Sequence, residues 1–169
     1  MRLTNKLIEN VITDTAGEDT LRLVSELKNK KNYSEFKLAE NLKIEVNQVR
    51  NMLYRLLKYN LVSFTRKKDK RKGWYIYYWT FRLKQIKNVL RTLKKERLEK
   101  LKDRLEREKS EQFFTCKNKC MRMNFEKASD FTFKCPECGL LLEQEDNSEK
   151  IKEIEKEIKE LEKYLKKKN

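Results

Sequence analysis

The sequence predicts a mainly α protein with small β elements, and three observations carry that expectation. Apolar residues recur at steps of three and four through most of a 169-residue chain that contains only 3 Gly and 1 Pro. The period becomes an alternating one between Leu61 and Trp79, where β-prone residues flank a basic loop. Four cysteines then stand in two close pairs, Cys116 with Cys120 and Cys135 with Cys138, a spacing that lets two short loops converge on one metal ion.

The N-terminal elements follow in order. Leu3, Leu7, Ile8, Val11 and Ile12 mark a first amphipathic helix, broken by Thr13 to Asp19 with Gly17. Leu21, Leu23, Val24 and Leu27 mark a second, and Ser34 caps a short third carrying Phe36, Leu38, Ala39 and Leu42. After the turn at Asn41 to Ile44, a fourth carries Val46, Val49, Met52, Leu53, Leu56 and Leu57. This is a helix-turn-helix pattern, and the polar face of its last helix offers Asn47, Gln48, Arg50, Asn51, Tyr54, Arg55 and Lys58. Those side chains suit either base readout in a major groove or an ordinary solvated surface.

Leu61, Val62 and Phe64 lead into the loop Arg66, Lys67, Lys68, Asp69, Lys70, Arg71, Lys72 and Gly73, and then into the run Trp74 to Trp79. Two β-prone runs around a Gly-ended loop read as a hairpin, and a helical bundle followed by a hairpin is the winged-helix arrangement. The loop has six basic residues to one acidic, placed where a wing tip would meet a phosphate backbone. Alternation puts Trp74, Ile76 and Tyr78 on one face and Tyr75, Tyr77 and Trp79 on the other. One face packs on the core; the other is left for base stacking, for a protein interface, or for cover by a neighbouring helix.

From Leu83 to Gln112 there is no Gly or Pro, and Leu83, Ile86, Val89, Leu90, Leu93, Leu98, Leu101 and Leu105 sit among charges. The step of five from Leu93 to Leu98 breaks a strict heptad. The reading is one helix of roughly 28 residues, about 42 Å long, spacing two modules.

The cysteines give C-x3-C and C-x2-C across a 14-residue interval, the pattern of a zinc ribbon. Met121, Met123 and Phe125 alternate, as do Phe131 and Phe133, so strands are expected between the two knuckles. A site filled by four thiolates leaves no open position, which makes the metal structural; iron in a rubredoxin-type centre is the chemical rival to zinc. Beyond Asn147, Ile151, Ile154, Ile158, Leu161 and Leu165 step by three and four, a two-heptad seam that packs back or docks on a partner. The resulting organisation is a winged helix over 1–82, a helical linker over 83–112, a zinc ribbon over 113–142, and an acidic segment with an amphipathic helix over 143–169.

Composition narrows function. With 42 Lys and Arg against 27 Asp and Glu the net charge is +15, of which residues 1–82 hold +9 from 18 basic and 9 acidic side chains. Such an excess points to a polyanionic partner. The absence of His removes the commonest general base, and 3 Gly leave nothing for a phosphate loop, so the composition argues against an enzyme. No apolar run has the length of a membrane span, and the amphipathic N-terminus MRLTNKLIENVITD does not read as a signal peptide. A reducing cytosol is the expected compartment, where paired cysteines serve as metal ligands rather than disulfides.

The stretch from Leu38 to Trp79, above all LAENLKIEVNQVRNMLYRLLKYNLVSF followed by GWYIYYW, resembles the winged helix of the archaeal transcription factor E family, the counterpart of the large subunit of eukaryotic general factor IIE. Residues 113–142, with FEKASDFTFKCPECGLLLEQEDNSE running onward, resemble that family's zinc ribbon, although the first knuckle has three intervening residues and no Gly after it. The resemblance implies a general initiation factor of archaeal RNA polymerase in the cytoplasm. Such a factor binds the polymerase clamp and stalk subunits, assists TATA-binding protein and transcription factor B in recruitment and promoter opening, and engages the melted non-template DNA strand. Residue by residue, it carries over Cys116, Cys120, Cys135 and Cys138 as ligands of one zinc ion. More loosely, it carries over a working surface of Arg66, Lys67, Lys68, Lys70, Arg71, Lys72, Trp74, Tyr75, Tyr77 and Trp79. A monomer without membrane contact is expected, a second subunit being left open. Two alternatives stand beside this reading: a dimeric winged-helix repressor with a structural zinc site, and a polymerase adaptor that does not touch DNA.

Overall fold

A computed structural model describes residues 4–69 and 73–167, and the chain divides after Arg91 into two compact units. Leu3, Lys70, Arg71 and Lys72 lie outside the described residues. The architecture is mainly helical with two small sheets.

In the first unit, α1 (Asn5–Ala16) starts where the Thr4 hydroxyl accepts the Leu7 N–H and ends at Gly17, whose φ is 92°. A Cβ there would stand 2.7 Å from Asp19 Oδ1, so this position needs glycine for conformation and for space. The helix thus runs through Thr13 to Ala16, and the break falls later than the sequence suggests. Following a single 3₁₀ turn, α2 (Leu21–Leu27) leads to a two-residue strand β1 (Tyr33–Ser34). Ser34 caps α3 (Glu35–Leu42), its hydroxyl accepting the Phe36 N–H at 3.3 Å. α4 (Val46–Lys58) opens with a reciprocal capping box between Glu45 and Gln48.

The wing is an antiparallel hairpin of β2 (Val62–Lys68) and β3 (Tyr75–Phe81), and β1 adds to the far side of β3 to give the order β1-β3-β2. Two residues are too few to show alternation, which is why β1 is invisible in the sequence. The register sets Phe64 opposite Trp79 and Arg66 opposite Tyr77. The core gathers Ile12 from α1, Leu23 and Leu27 from α2, Leu38 from α3, Leu53 and Leu56 from α4, and Trp79 from β3, all at 1% exposure or less. Between α3 and α4 the buried Glu35 carboxylate accepts from the Arg50 guanidinium at 2.6 Å, a bond that raises the Arg50 pKa.

α5 (Ile86–Ser110) contributes Ile86 and Val89 to the first unit, and its remainder belongs to the second. There α7 (Ser148–Lys166) lies antiparallel to it: Lys109 pairs with Glu155 at one end, and the Lys94 ammonium stands over the Tyr164 ring at the other. Leu98 and Leu101 pack with Ile154, Ile158 and Leu161, flanked by Leu105 and Leu165. The C-terminal seam therefore packs back on α5.

Strands β4 (Phe113–Cys116), β5 (Arg122–Asn124) and β6 (Leu142–Gln144) form a sheet in the order β5-β4-β6. The expected second strand between the knuckles is instead helix α6 (Phe125–Asp130), started by the Asn124 side chain accepting the Lys127 N–H. Thr132 and Phe133 follow with φ of 50° and 54°, a conformation no strand tolerates. The Phe131 and Phe133 alternation comes from a turn that sends Phe133 inward against Phe114 and leaves Phe131 exposed.

Candidate functional site

Two places concentrate chemistry. In the ribbon, the sulfurs of Cys116, Cys120, Cys135 and Cys138 all lie within 4.8 Å of one another. Each pair is delivered by a tight turn. In the second, the Gly139 N–H donates to Cys135 O at 2.8 Å and the Cys135 N–H to Leu140 O at 2.7 Å, with Gly139 at φ 72°. The first turn has no glycine; Lys119 takes the left-handed conformation instead, at φ 55°, and its N–H donates to Cys116 O at 2.7 Å. The first knuckle thus solves with a lysine what the second solves with Gly139.

The ribbon's interior is Met123, Ala128 and Leu142 around the buried Cys116 and Cys135, so two of its five buried core side chains are thiols. Burial works against the Cys116 thiolate, yet the Asn118 backbone N–H and hydrogen bonds from the other three thiols bring its pKa down to about 7. Cys120 is pushed up to about 12 by its hydrogen bond with Cys138 and by burial. Thiols this crowded share protons, which a divalent cation would displace. A tetrahedral metal with bonds of about 2.3 Å spaces its sulfurs by roughly 3.8 Å, close to the arrangement present. The donor set fits a metal ion held in a closed all-sulfur site, with no position for substrate.

The second place is the wing. Cross-strand neighbours share a face, so Phe64, Arg66, Tyr75, Tyr77 and Trp79 lie together. Trp79 is fully buried. The sequence analysis placed it on the working surface; the structure makes it the floor beneath that surface. Phe64 packs on it at 5.2 Å between centroids, Tyr54 of α4 meets it edge-on at 6.1 Å, and Phe64 continues to Tyr77 at 5.3 Å. Farther out, the Arg66 guanidinium stands 4.9 Å over the Tyr75 ring. Phe64, Tyr54 and Tyr75 are 43%, 51% and 49% exposed, so an aromatic strip runs from the core to the wing tip. Trp74 is exposed at its end. On the other face the Lys67 ammonium stands over the Tyr78 ring at 5.7 Å. Arg66, Lys67 and Lys68 are exposed along β2.

Phe64 and Tyr54 are the members that sequence reasoning did not assign to this strip. The pairing of Phe64 with Trp79 would have revealed the first, and it needs the hairpin register. On α4 itself, Gln48 is engaged in the capping box, Arg50 in the pair with Glu35, and Arg55 in an ion pair with Asp19. Asn47, Asn51 and Lys58 stay exposed on the same helix.

A winged helix carrying an aromatic and cationic strip, followed by a ribbon with four clustered cysteines, defines a basic binding protein of the transcription-factor class. The chain belongs to the TFIIE alpha subunit family, whose family model matches residues 6–110. It is 40% identical over 162 residues to transcription factor E of Metallosphaera sedula, covering 91% of this chain and 92% of that one. It is 37% identical over 155 residues to transcription factor E of Pyrococcus abyssi, covering 91% and 82%. With transcription factor E of Methanocaldococcus jannaschii it shares 36% identity over 166 residues, covering 97% and 96%. The family is one of transcription factors rather than enzymes, acting with the transcription machinery. No helix among the described residues is long and apolar enough to cross a membrane.

Proposed function

We propose that this chain is a non-enzymatic general initiation factor of archaeal RNA polymerase. In that reading it acts in the cytoplasm as a monomer. It binds the polymerase clamp and stalk subunits and assists TATA-binding protein and transcription factor B in recruitment and promoter opening. Zinc, held by Cys116, Cys120, Cys135 and Cys138, keeps the ribbon folded. The observation that supports this best is the wing: Phe64, Tyr54 and Tyr75 lie half exposed, with Arg66 over the Tyr75 ring, while the base-reading candidate Arg50 is tied to the buried Glu35. Such a surface packs on a protein or stacks on unpaired bases without selecting sequence. The cations Arg66, Lys67, Lys68, Lys70, Arg71 and Lys72 would add salt-dependent attraction to the melted non-template strand.

The test is binding of the purified chain to archaeal RNA polymerase with and without its stalk subunits, alongside a promoter-length duplex at physiological salt. Tight polymerase binding that weakens without the stalk, with no sequence preference on the duplex, is expected. Sequence-selective duplex binding without polymerase binding would overturn the reading in favour of a repressor. Replacing the six wing cations by Ala should flatten the salt slope of binding to a pre-melted promoter, and an unchanged slope would remove them from the interface.

A further inference from the structure

Residues 143–169 carry 8 basic and 9 acidic side chains, so by composition the C-terminal helix is almost neutral. The structure separates those charges. The buried seam of Ile154, Ile158 and Leu161 faces α5. Glutamates on both flanks of that seam reach across to α5: Glu157 accepts from Arg97 at 2.5 Å, Glu155 from Lys109 at 2.6 Å, and Glu162 lies 3.4 Å from Lys102. Lys152, Lys156, Lys159, Lys163 and Lys166 step by four, three, four and three residues. At about 100° per residue they fall on one line on the side of the helix away from the seam. All five are exposed, and none makes an ion pair among the described residues. Lys152, Lys156, Lys159 and Lys163 line a shallow cleft edged by Glu155 and Glu160.

We propose that this outward lysine line of α7 is a docking surface for the phosphate backbone of nucleic acid, distinct from the wing. The five cations are spread over fourteen residue steps, about 21 Å of helix, or one charge per ~5 Å. That is the same order as the ~3.4 Å axial spacing of phosphates along one strand, and long flexible lysine stems absorb the difference. A protein partner fits this face poorly. Stable protein interfaces centre on aromatic and apolar anchors and are depleted in Lys, whereas Ile154, Ile158, Leu161 and Leu165 of the α7 seam are turned toward α5. What remains is attraction without shape or sequence, the character of contacts that position a protein on a phosphate chain. Glu155, Glu157 and Glu162, by engaging α5, spend part of the acidic charge of α7 on the seam, while Glu160 stays beside the line.

The experiment uses the full chain, loaded with metal, and a random-sequence DNA duplex titrated across a salt series. Lys152, Lys156, Lys159, Lys163 and Lys166 are changed together to Gln, which keeps helix propensity. A second variant carries the same five changes to Arg. The Gln variant should unfold at the same temperature as the parent, bind about tenfold or more weakly at low salt, and lose roughly one unit of salt slope for each lysine engaged. The Arg variant should keep both affinity and slope. Unchanged DNA affinity and slope in a folded Gln variant would overturn the proposal. So would a Gln variant that binds DNA normally but loses salt-sensitive binding to RNA polymerase, an outcome that would assign the line to an acidic protein surface. Loss of DNA binding in the Arg variant would count against it as well, since a phosphate backbone accepts either cation. Because the wing is intact in both variants, its failure as a binding surface would show separately.

Discussion

The two units of this chain are held together in different ways. Among the described residues the first has an apolar core drawn from α1 to α4, the start of α5 and the wing, with Leu23, Leu27, Leu38, Leu53, Leu56 and Trp79 all fully buried. Among the described residues the second has two small apolar groups, one between α5 and α7 and one around the cysteines, and several of its side-chain ties between elements are charged. Its densest node is Glu108, 5% exposed. That carboxylate accepts from Arg122 at 3.0 and 2.7 Å and from the Asn147 amide at 2.9 Å, and Arg122 also pairs with Glu145 while lying 3.7 Å over the Phe113 ring. The node joins the end of α5, strand β5 just beyond Cys120, and the start of α7. The comparison teaches that the first unit depends on buried area, whereas the second buries less and relies on a few charges and on a cluster of four cysteines that could hold a metal ion.

The largest expected effect follows from that difference. About 30 residues of ribbon bury too little apolar surface to fold unaided, and a structural zinc ion in such a site stabilises by an apparent ~10 kcal/mol or more at neutral pH. Metal removal by a strong chelator, or Cys135→Ser, should abolish protection of β4, β5 and β6 from hydrogen exchange and leave α1 to α4 protected as before. Equal loss in both units would break the comparison. Metal analysis of the purified chain decides between zinc and iron, an iron centre also being coloured.

The next effect belongs to the first unit. Leu53 is wholly buried, and Leu53→Ala should destabilise that unit by about 4 kcal/mol, because a packed core closes only partly around the void. The matching change in the second unit, Leu161→Ala, should do less, about 1–2 kcal/mol, since Leu161 lies 7% exposed at a two-helix seam that water reaches. Thermal unfolding followed separately for each unit by NMR would check the ratio; similar losses would mean that the seam is packed as well as the core.

These differences were only partly legible in the sequence. The helices and the wing could be read because each repeats its pattern over several turns or pairs, and the clustering of the four cysteines because their spacing is a local property. β1 was hidden by its length, and α6 because Met121, Met123 and Phe125 alternate across the boundary between a strand and a helix. The position of Trp79 depended on which wing face meets α4, and that is decided by the register of β2 against β3 rather than by either strand alone. Glu35 and Glu108 look like surface carboxylates in any sequence window. They become buried ties only when Arg50 and Arg122 arrive from other elements.

Glu108 gives the third effect. Glu108→Ala should destabilise the second unit by about 3 kcal/mol, toward the lower end for a broken buried pair because Arg122 remains 28% exposed and can be hydrated. Burial raises the carboxyl pKa, but hydrogen bonds from Arg122 and Asn147 and the charge of Arg122 together hold it below the ordinary 4.5; Glu145 is held below its ordinary value in the same way, burial being opposed by Lys150 and Arg122. Carboxyls whose pKa is depressed by folding stabilise above the unfolded value near 4.5 and lose that contribution as pH falls through the folded one. Acid titration of the metal-loaded chain should therefore show the second unit losing stability below about pH 4.5, more steeply than Glu108→Ala does. Parallel titration curves would remove Glu108 from the node.

The smallest effect tests whether charge pairs matter wherever they occur in the second unit or only where they are buried. Lys102 and Glu162 face each other across α5 and α7 at 3.4 Å, with their side chains 46% and 39% exposed. Exposed pairs of this kind gain little, because water screens the attraction and two long side chains lose rotamer freedom in holding one geometry. Lys102→Ala should shift unfolding of the second unit by less than about 0.5 kcal/mol, and the shift should vanish in molar salt. The contrast with Glu108 then isolates desolvation. Both changes remove one charge from a hairpin that uses several, and only the one leaving a guanidinium without its buried carboxylate should be felt. A loss at Lys102 as large as at Glu108 would mean that the α5 and α7 pairs act as one network, with the outward lysines of α7 held in line by every glutamate beside them.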